Sequence, residues 1–211
     1  MIRSKISDNL IAIGDSHLDM FTFFCKATCR VVGASAYGLT SKSSATHARQ
    51  AFLSFVSAFP YHTPLICVGE VDCNSIAWNK SNGKEPEDII KISIDNLFKF
   101  LKDTGKRFII PSVVLPPVES YKDLSVRNHV DATKEQRTSL VKIFNTLLES
   151  YSESLGHYYL DITTQTTGPD GFVDSHFIVS PTDVHLSPIK IYDIVRVKLD
   201  GAEHFVKSTK N

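Results

Sequence analysis

The sequence predicts an α/β fold: a three-layer α/β/α sandwich with a mainly parallel, five-stranded sheet. Two observations carry this. Short continuous apolar runs, such as Leu10-Ile11-Ala12-Ile13 and Leu65-Ile66-Cys67-Val68, have the unbroken character of strands covered on both faces. These runs alternate with longer segments whose apolar residues recur at three- and four-residue steps. Strand and helix taking turns five times along the chain is the pattern of parallel strands joined by crossover helices.

The first strand, Leu10 to Ile13, stops at Gly14-Asp15-Ser16-His17, and a helical segment from Leu18 to Lys26 follows. Ser16 is thereby placed at a strand-to-helix turn, with helix N–H groups beside it. A bare helix cap by Asp15 and Ser16 would use the same residues. Cys29-Arg30-Val31-Val32-Gly33 reads as the second strand, leading into the small-residue run Ala34 to Leu39. A helix from Ser44 to Phe59 presents Ala48, Ala51, Phe52, Phe55, Val56 and Phe59 on one face, and Pro60 ends it. The third strand, Leu65 to Val68, closes on Gly69-Glu70-Val71-Asp72.

Pro86 stands where the next helix begins, and Glu87 to Lys102 places Ile90, Ile94, Leu97, Phe98 and Leu101 together. Phe108 to Leu115 is the fourth strand, with a break or bulge expected at Pro111 because proline removes a ladder donor. A long amphipathic helix, Lys134 to Leu155, precedes the fifth strand, Tyr158 to Ile162, and a last helix covers Pro188 to Val197. The intervening loop of roughly 20 residues is long enough to suggest a function. Its Phe172 and Phe177 are expected to line an acyl pocket or to anchor the loop.

With 211 residues and no internal repeat, the chain is expected to form one domain, 1–211. Acidic and basic residues balance at 23 each, which argues against a nucleic acid or an anionic membrane as partner. No apolar run is long enough to span a bilayer, and the N-terminus lacks the pattern of a signal peptide. Cys25, Cys29, Cys67 and Cys73 follow no zinc-site spacing. They read as small core residues in a reducing, cytoplasmic setting, with no metal or cofactor expected.

Gly14-Asp15-Ser16 after an N-terminal strand, a glycine after the second, Gly69-Glu70-Val71-Asp72 after the third and His185 near the C-terminus together resemble the SGNH/GDSL hydrolase family. The resemblance covers nearly the whole chain and implies a flavodoxin-like sheet and a serine esterase. It makes Ser16 the nucleophile and His185 the general base. Gly38, or less aptly Gly33, would give a backbone N–H to the oxyanion beside that of Ser16. The chemistry agrees: a serine hydroxyl needs a base in hydrogen-bond reach, and the charge it generates needs donors already aimed at it.

Two departures from the family pattern stand out. Val71 occupies the position of the oxyanion-hole asparagine, so Asn74 or another group would have to supply that donor, a loss otherwise of about 2.7–4 kcal/mol. The acid expected three residues before the histidine is Thr182, and the nearest carboxylate, Asp183, lies two before it. If Asp183 cannot reach the ring, a Ser16–His185 dyad remains. Gly-Glu-Val-Asp-Cys also resembles a divergent branch of SGNH-like proteins associated with bacterial surface-polysaccharide synthesis. The expected substrate is accordingly an O-acetyl or other small acyl ester, carried on a small molecule or an acylated carbohydrate.

Three other readings use the same residues. Acyl transfer to a sugar hydroxyl is the closest. A non-catalytic glycan-binding module would use Trp78, Tyr37 and Tyr121 as stacking platforms. A metallophosphoesterase would use Asp15 and His17 with Glu70, Asp72, Asn128 and His129 around two metals, although its expected Gly-Asp is Gly-Glu here.

Overall fold

A computed structural model describes residues 4–41, 43–80, 83–117, 130–181 and 183–209. Five strands, β1 (Leu10–Gly14), β2 (Ala27–Arg30), β3 (Thr63–Cys67), β4 (Ile109–Pro111) and β5 (Tyr158–Leu160), form one sheet ordered β2-β1-β3-β4-β5. Every pairing is parallel. Its main helices are α1 (Ala48–Ala58), α2 (Pro86–Thr104), α3 (Lys134–Ser154), α4 (Tyr192–Gly201) and α5 (Glu203–Ser208). Helix α2 packs against both α1 and α3, while α4 packs with the 3-10 helix Ser16–Phe24. No helix among the described residues is long and apolar enough to cross a membrane.

All five residues of β1 are buried, as the unbroken apolar run requires of a strand paired on both edges and covered on both faces. The chain leaves β1 toward β2 and then returns across it to β3. Strand order reverses there, which opens a crevice at the carboxyl ends of β1 and β3. Ser16 and Glu70 lie just beyond those two ends.

The strands differ from expectation where hydrogen bonding outweighs apolarity. β2 covers Ala27–Arg30 rather than Cys29 to Gly33, because Ile11 through Gly14 pair with Ala27 through Arg30 and leave Val32 outside the ladder, 68% exposed. β4 ends at Pro111, where a break was expected. The backbone beyond it is satisfied by other means: Asn145 on α3 accepts from the Val113 N–H and donates to its carbonyl, both at 2.8 Å. The segment from Ser16 is a 3-10 helix instead of an α-helix, and the helix expected from Pro188 is α4, which begins at Tyr192 and is followed by α5.

Gly14 is required by close approach. It pairs with Cys67 across β1 and β3, and a Cβ there would collide with the Cys67 carbonyl oxygen, which is backbone and cannot swing away. Gly14→Ala is therefore expected to lower unfolding free energy by about 1–3 kcal/mol, as overpacking does elsewhere. A urea titration measures it, and because β1 delivers Ser16, activity should fall along with stability.

The loop after β5 has internal order. It holds a helical turn (Thr163–Thr166), a bridge between Thr167 and Val173, and another between Ile178 and Leu186. Phe177 packs on the core, and the Phe172 ring lies 4.5 Å from the Lys134 ammonium. Phe177 therefore anchors the loop to the core, and Phe172 meets Lys134 at the start of α3.

Candidate active site

β1 delivers Ser16 to the crevice on a tight turn. Asp15 caps the following 3-10 helix by accepting the His17 N–H at 2.8 Å, which turns Asp15 and His17 inward and leaves Ser16 half-buried at the surface of the crevice. The loop between Ile178 and Leu186 brings His185 across from the far end of the sequence, braced by a bond from the Val179 N–H to the His185 carbonyl. His185 Nε2 lies 2.9 Å from Ser16 Oγ, and His185 Nδ1 lies 2.7 Å from Asp183 Oδ1. Three residues 167 and more positions apart or two apart in sequence thus share one hydrogen-bonded line.

The spacing of two between acid and histidine works because Asp183 Oδ1 also accepts the His185 backbone N–H at 2.8 Å. An aspartate accepting from the amide two residues on is an Asx turn, and this one folds the carboxylate back onto the ring it follows. Burial pushes the Asp183 carboxyl up, but the His185 N–H, the His185 ring and the more distant His17 outweigh it and hold it below its ordinary range. It is the anionic partner of the chain. The residues expected as nucleophile, base and acid are therefore within hydrogen-bond reach of one another.

The expected oxyanion donors are placed differently. The Gly38 N–H donates to both the carbonyl and the hydroxyl of Ser35, at 3.1 Å each, so it closes a turn. The Asn74 amide donates to Glu70, 3.0 Å to Oε1 and 3.2 Å to the backbone oxygen, and Arg137 Nη1 lies 3.4 Å from Asn74 Oδ1. In this structure both of these donors are engaged inside the fold. Gly33 sits farther along the cleft wall in a left-handed turn, with φ of 75°. Val71 has no side-chain donor, and the Ser16 N–H stands at the start of its helix.

Three residues without a role in the serine-esterase reading complete the surroundings. Asp72 is wholly buried and accepts the Ala36 and Tyr37 N–H groups at 2.8 Å each, tying the loop after β2 to the end of β3. Its carboxyl is pushed up by burial against these bonds. His17 is 4% exposed and Arg137 is fully buried. A sequence signal existed for Arg137: it shares a helical face with Val141, Phe144 and Leu148, where a cation must find a partner. For His17 none existed, since the burial of a turn residue is decided by what packs over it.

A cleft of about 640 Å³ adjoins the site at Glu70 and runs past Ser35, Tyr37, Ser41, Ser44, Thr46 and Ser75. Of the aromatic residues considered for stacking, Tyr37 lines this cleft. Trp78 packs on the core with its indole N–H on the Cys73 carbonyl at 2.8 Å, and Tyr121 is outside the described residues. The two-metal arrangement is not assembled either. Both Asp72 oxygens are taken by backbone amides, Asn128 and His129 lie outside the described residues, and no group of three or more His, Cys, Asp or Glu is arranged as a ligand set among the described residues.

Solved structures with this arrangement of strands and helices point one way. A candidate acylhydrolase from Bacteroides fragilis superposes with a TM-score of 0.63 at 15% identity, covering 100% of this chain and 92% of its own. A GDSL-like lipase from Bacteroides thetaiotaomicron gives 0.61 at 14% identity over 94% of this chain and 87% of its own. The chain has the SGNH/GDSL-hydrolase fold. A G-D-S-L family protein from Desulfitobacterium hafniense, described as a candidate lipolytic protein, agrees at 0.57 and 14% identity over 91% and 97% of the two chains. No protein-family model matches the sequence, and no curated protein is significantly similar to it. The likeness is thus one of fold, seen in the arrangement of strands and helices and not in the sequence. In this chain the Ser16 turn, the β3 exit and the His185 loop meet at one end of the sheet.

Proposed function

We propose that the protein is a serine esterase that cleaves an O-acetyl or other small acyl ester through an acyl-Ser16 intermediate. The observation that carries this is the Asp183–His185–Ser16 line, with contacts of 2.7 and 2.9 Å at the crevice of an SGNH-type sheet. In this reading His185 Nε2 takes the Ser16 proton as Oγ attacks the ester carbon. Asp183 holds the ring in the tautomer that leaves Nε2 able to accept, and stabilises the imidazolium that forms. The Ser16 N–H faces the developing oxyanion. His185 then returns its proton to the departing alcohol, and water attacks the acyl-enzyme with the same base.

The alcohol portion of the ester is assigned to the hydroxyl-lined cleft beyond Glu70, whose Ser, Thr and Tyr side chains suit a polyol such as a carbohydrate. The four cysteines, none of them in a disulfide, support a reducing, cytoplasmic location. Labelling with a small fluorophosphonate followed by peptide mass analysis tests the nucleophile directly, and Ser16 is the expected site of modification. On matched acetyl, butyryl and octanoyl esters, turnover should be greatest for acetyl. Release of acetate from an O-acetylated sugar should exceed that from an aryl acetate of equal leaving ability. A label on another serine, or octanoyl preferred to acetyl, would overturn the proposal.

A further inference from the structure

The cleft beyond Glu70 carries a cation that the proposed reaction does not use. Past β3, residues Asp72–Ile76 form a π-helical turn, wider than an α-helical one, and Asn74, Ser75 and Ile76 all come to the cleft wall. One helical turn, Ala77–Asn79, follows, and Lys80 ends it with its N–H donated to the Ile76 carbonyl at 2.9 Å. Lys80 is exposed and lines the cleft. Among the described residues that line it, two are charged, Glu70 and Lys80. Glu70 is engaged inward: Oε1 accepts the Asn74 amide at 3.0 Å, and Oε2 lies 3.5 Å from His17 Nε2. No carboxylate among the described residues pairs with the Lys80 ammonium.

The wall contributed by the loop after β2 is built to hold a shape. Tyr37 is clamped from both sides of its backbone: its N–H is accepted by the buried Asp72 at 2.8 Å, and its carbonyl accepts the Asn96 amide at 2.9 Å. Beside it Gly38 keeps the cleft floor open, since a Cβ there would stand 3.1 Å from Ser35 Oγ and 3.3 Å from Ser44 Oγ. Ser44 Oγ in turn lies 3.1 Å from Thr46 Oγ1. A hydroxyl has one donor and two acceptor positions, so these side chains keep capacity for the hydroxyls of a polyol.

We propose that Lys80 is a specificity-determining residue: the polyol that carries the acyl group also carries an anionic group, a carboxylate or a phosphate, and Lys80 binds it at the end of the cleft away from Ser16. The proposal rests on the reading of Ser16, His185 and Asp183 as the reacting line and of the cleft as the seat of the alcohol. Hydroxyls on the walls accept or donate and suit a polyol of any charge, whereas an ammonium only donates and is positive. A hydrogen bond from it to an ionised acceptor is of the stronger, charge-assisted kind. Glu70, at the reacting end, disfavours the reverse orientation, so the two charged residues together turn the ester toward Ser16 and the acid toward Lys80.

The test uses three acetyl esters: O-acetylated glucuronic acid, its uncharged methyl ester acetylated at the same hydroxyl, and O-acetylated glucose phosphate. At least one charged ester is expected to exceed the methyl ester in kcat/KM by about fivefold, the size of a partly exposed ion pair, with the difference in KM. Which of the two does so tells carboxylate from phosphate. Lys80→Gln should bring the charged esters down to the methyl ester, Lys80→Arg should keep most of the preference, and added KCl should erode it in the parent. A purely structural role would slow all three esters alike in Lys80→Gln. Fluorophosphonate labelling of Ser16 in the parent separates the two readings. With Ser16 labelled, equal turnover of charged and uncharged esters, or a preference that survives in Lys80→Gln, overturns the role of Lys80 alone. Without label the esterase reading falls, and Lys80 is then judged by binding of glucuronate and glucose phosphate, followed by backbone amide shifts. Weaker binding to Lys80→Gln than to the parent upholds its role, and equal or absent binding overturns it.

Discussion

Ser16→Ala and His185→Ala are each expected to reduce ester turnover by about 10⁴-fold or more, and the double variant is expected to be little worse than either. The members of a nucleophile–base pair act as a unit, so removing one already forfeits most of what the other does. The 2.9 Å contact between Oγ and Nε2 makes these two residues such a pair. Ser16 is half-buried and its hydroxyl contacts the base at the crevice, so the melting temperature of Ser16→Ala should stay close to that of the parent. Steady-state assays on an acetyl ester for the three variants, with thermal melts alongside, measure this. Losses that multiply in the double variant would mean that the two residues act independently, and full activity in Ser16→Ala would remove the acyl-serine mechanism.

Asp183→Asn is the second large effect, a fall of about 10⁴-fold in kcat, as expected when a triad acid is replaced by its amide. The substitution is informative because of how Asp183 is bound. Asparagine can still accept the His185 backbone N–H through its Oδ1, so the turn that places the loop should survive. What it cannot provide is a negative oxygen 2.7 Å from Nδ1. A neutral amide oxygen on Nδ1–H cannot stabilise the imidazolium that forms as His185 takes the Ser16 proton. Backbone amide shifts in the loop should therefore remain parent-like while turnover collapses. A loss of less than tenfold would show that Ser16 and His185 work as a dyad with no help from the acid.

Much of this fold was readable from one dimension. A strand covered on both faces must be apolar at every position, and Leu10 to Ile13 and Leu65 to Cys67 carry that requirement in their composition alone. Helices α2 and α3 announce themselves by Pro86 and by apolar residues three and four apart. β2 begins two residues and ends three residues before its apolar run because an edge strand is held by its ladder to β1, and apolarity reports burial and says nothing of pairing. Pro111 was legible as a break, since a missing donor is a local property of the residue.

Of the site, sequence alone determined which groups could do chemistry: a serine at the exit of the first strand, a histidine near the C-terminus and an acid two residues before it. Tertiary structure decided the rest. Whether Asp183 reaches the ring depends on an Asx turn that closes only when the His185 loop is braced against Ile178 and Val179. Whether Gly38 and Asn74 donate to an oxyanion or to Ser35 and Glu70 depends on which acceptors fold against them, and residue type carries no such information. His17 is the clearest case, because a histidine in a turn is polar and exposed by default. Its burial beneath His185, with Glu70 3.5 Å from its Nε2, arises from elements that converge only when the sheet is complete. Propensity and pattern are local and follow the chain, whereas desolvation and Coulomb energy depend on distances in space, and those exist only in the folded molecule.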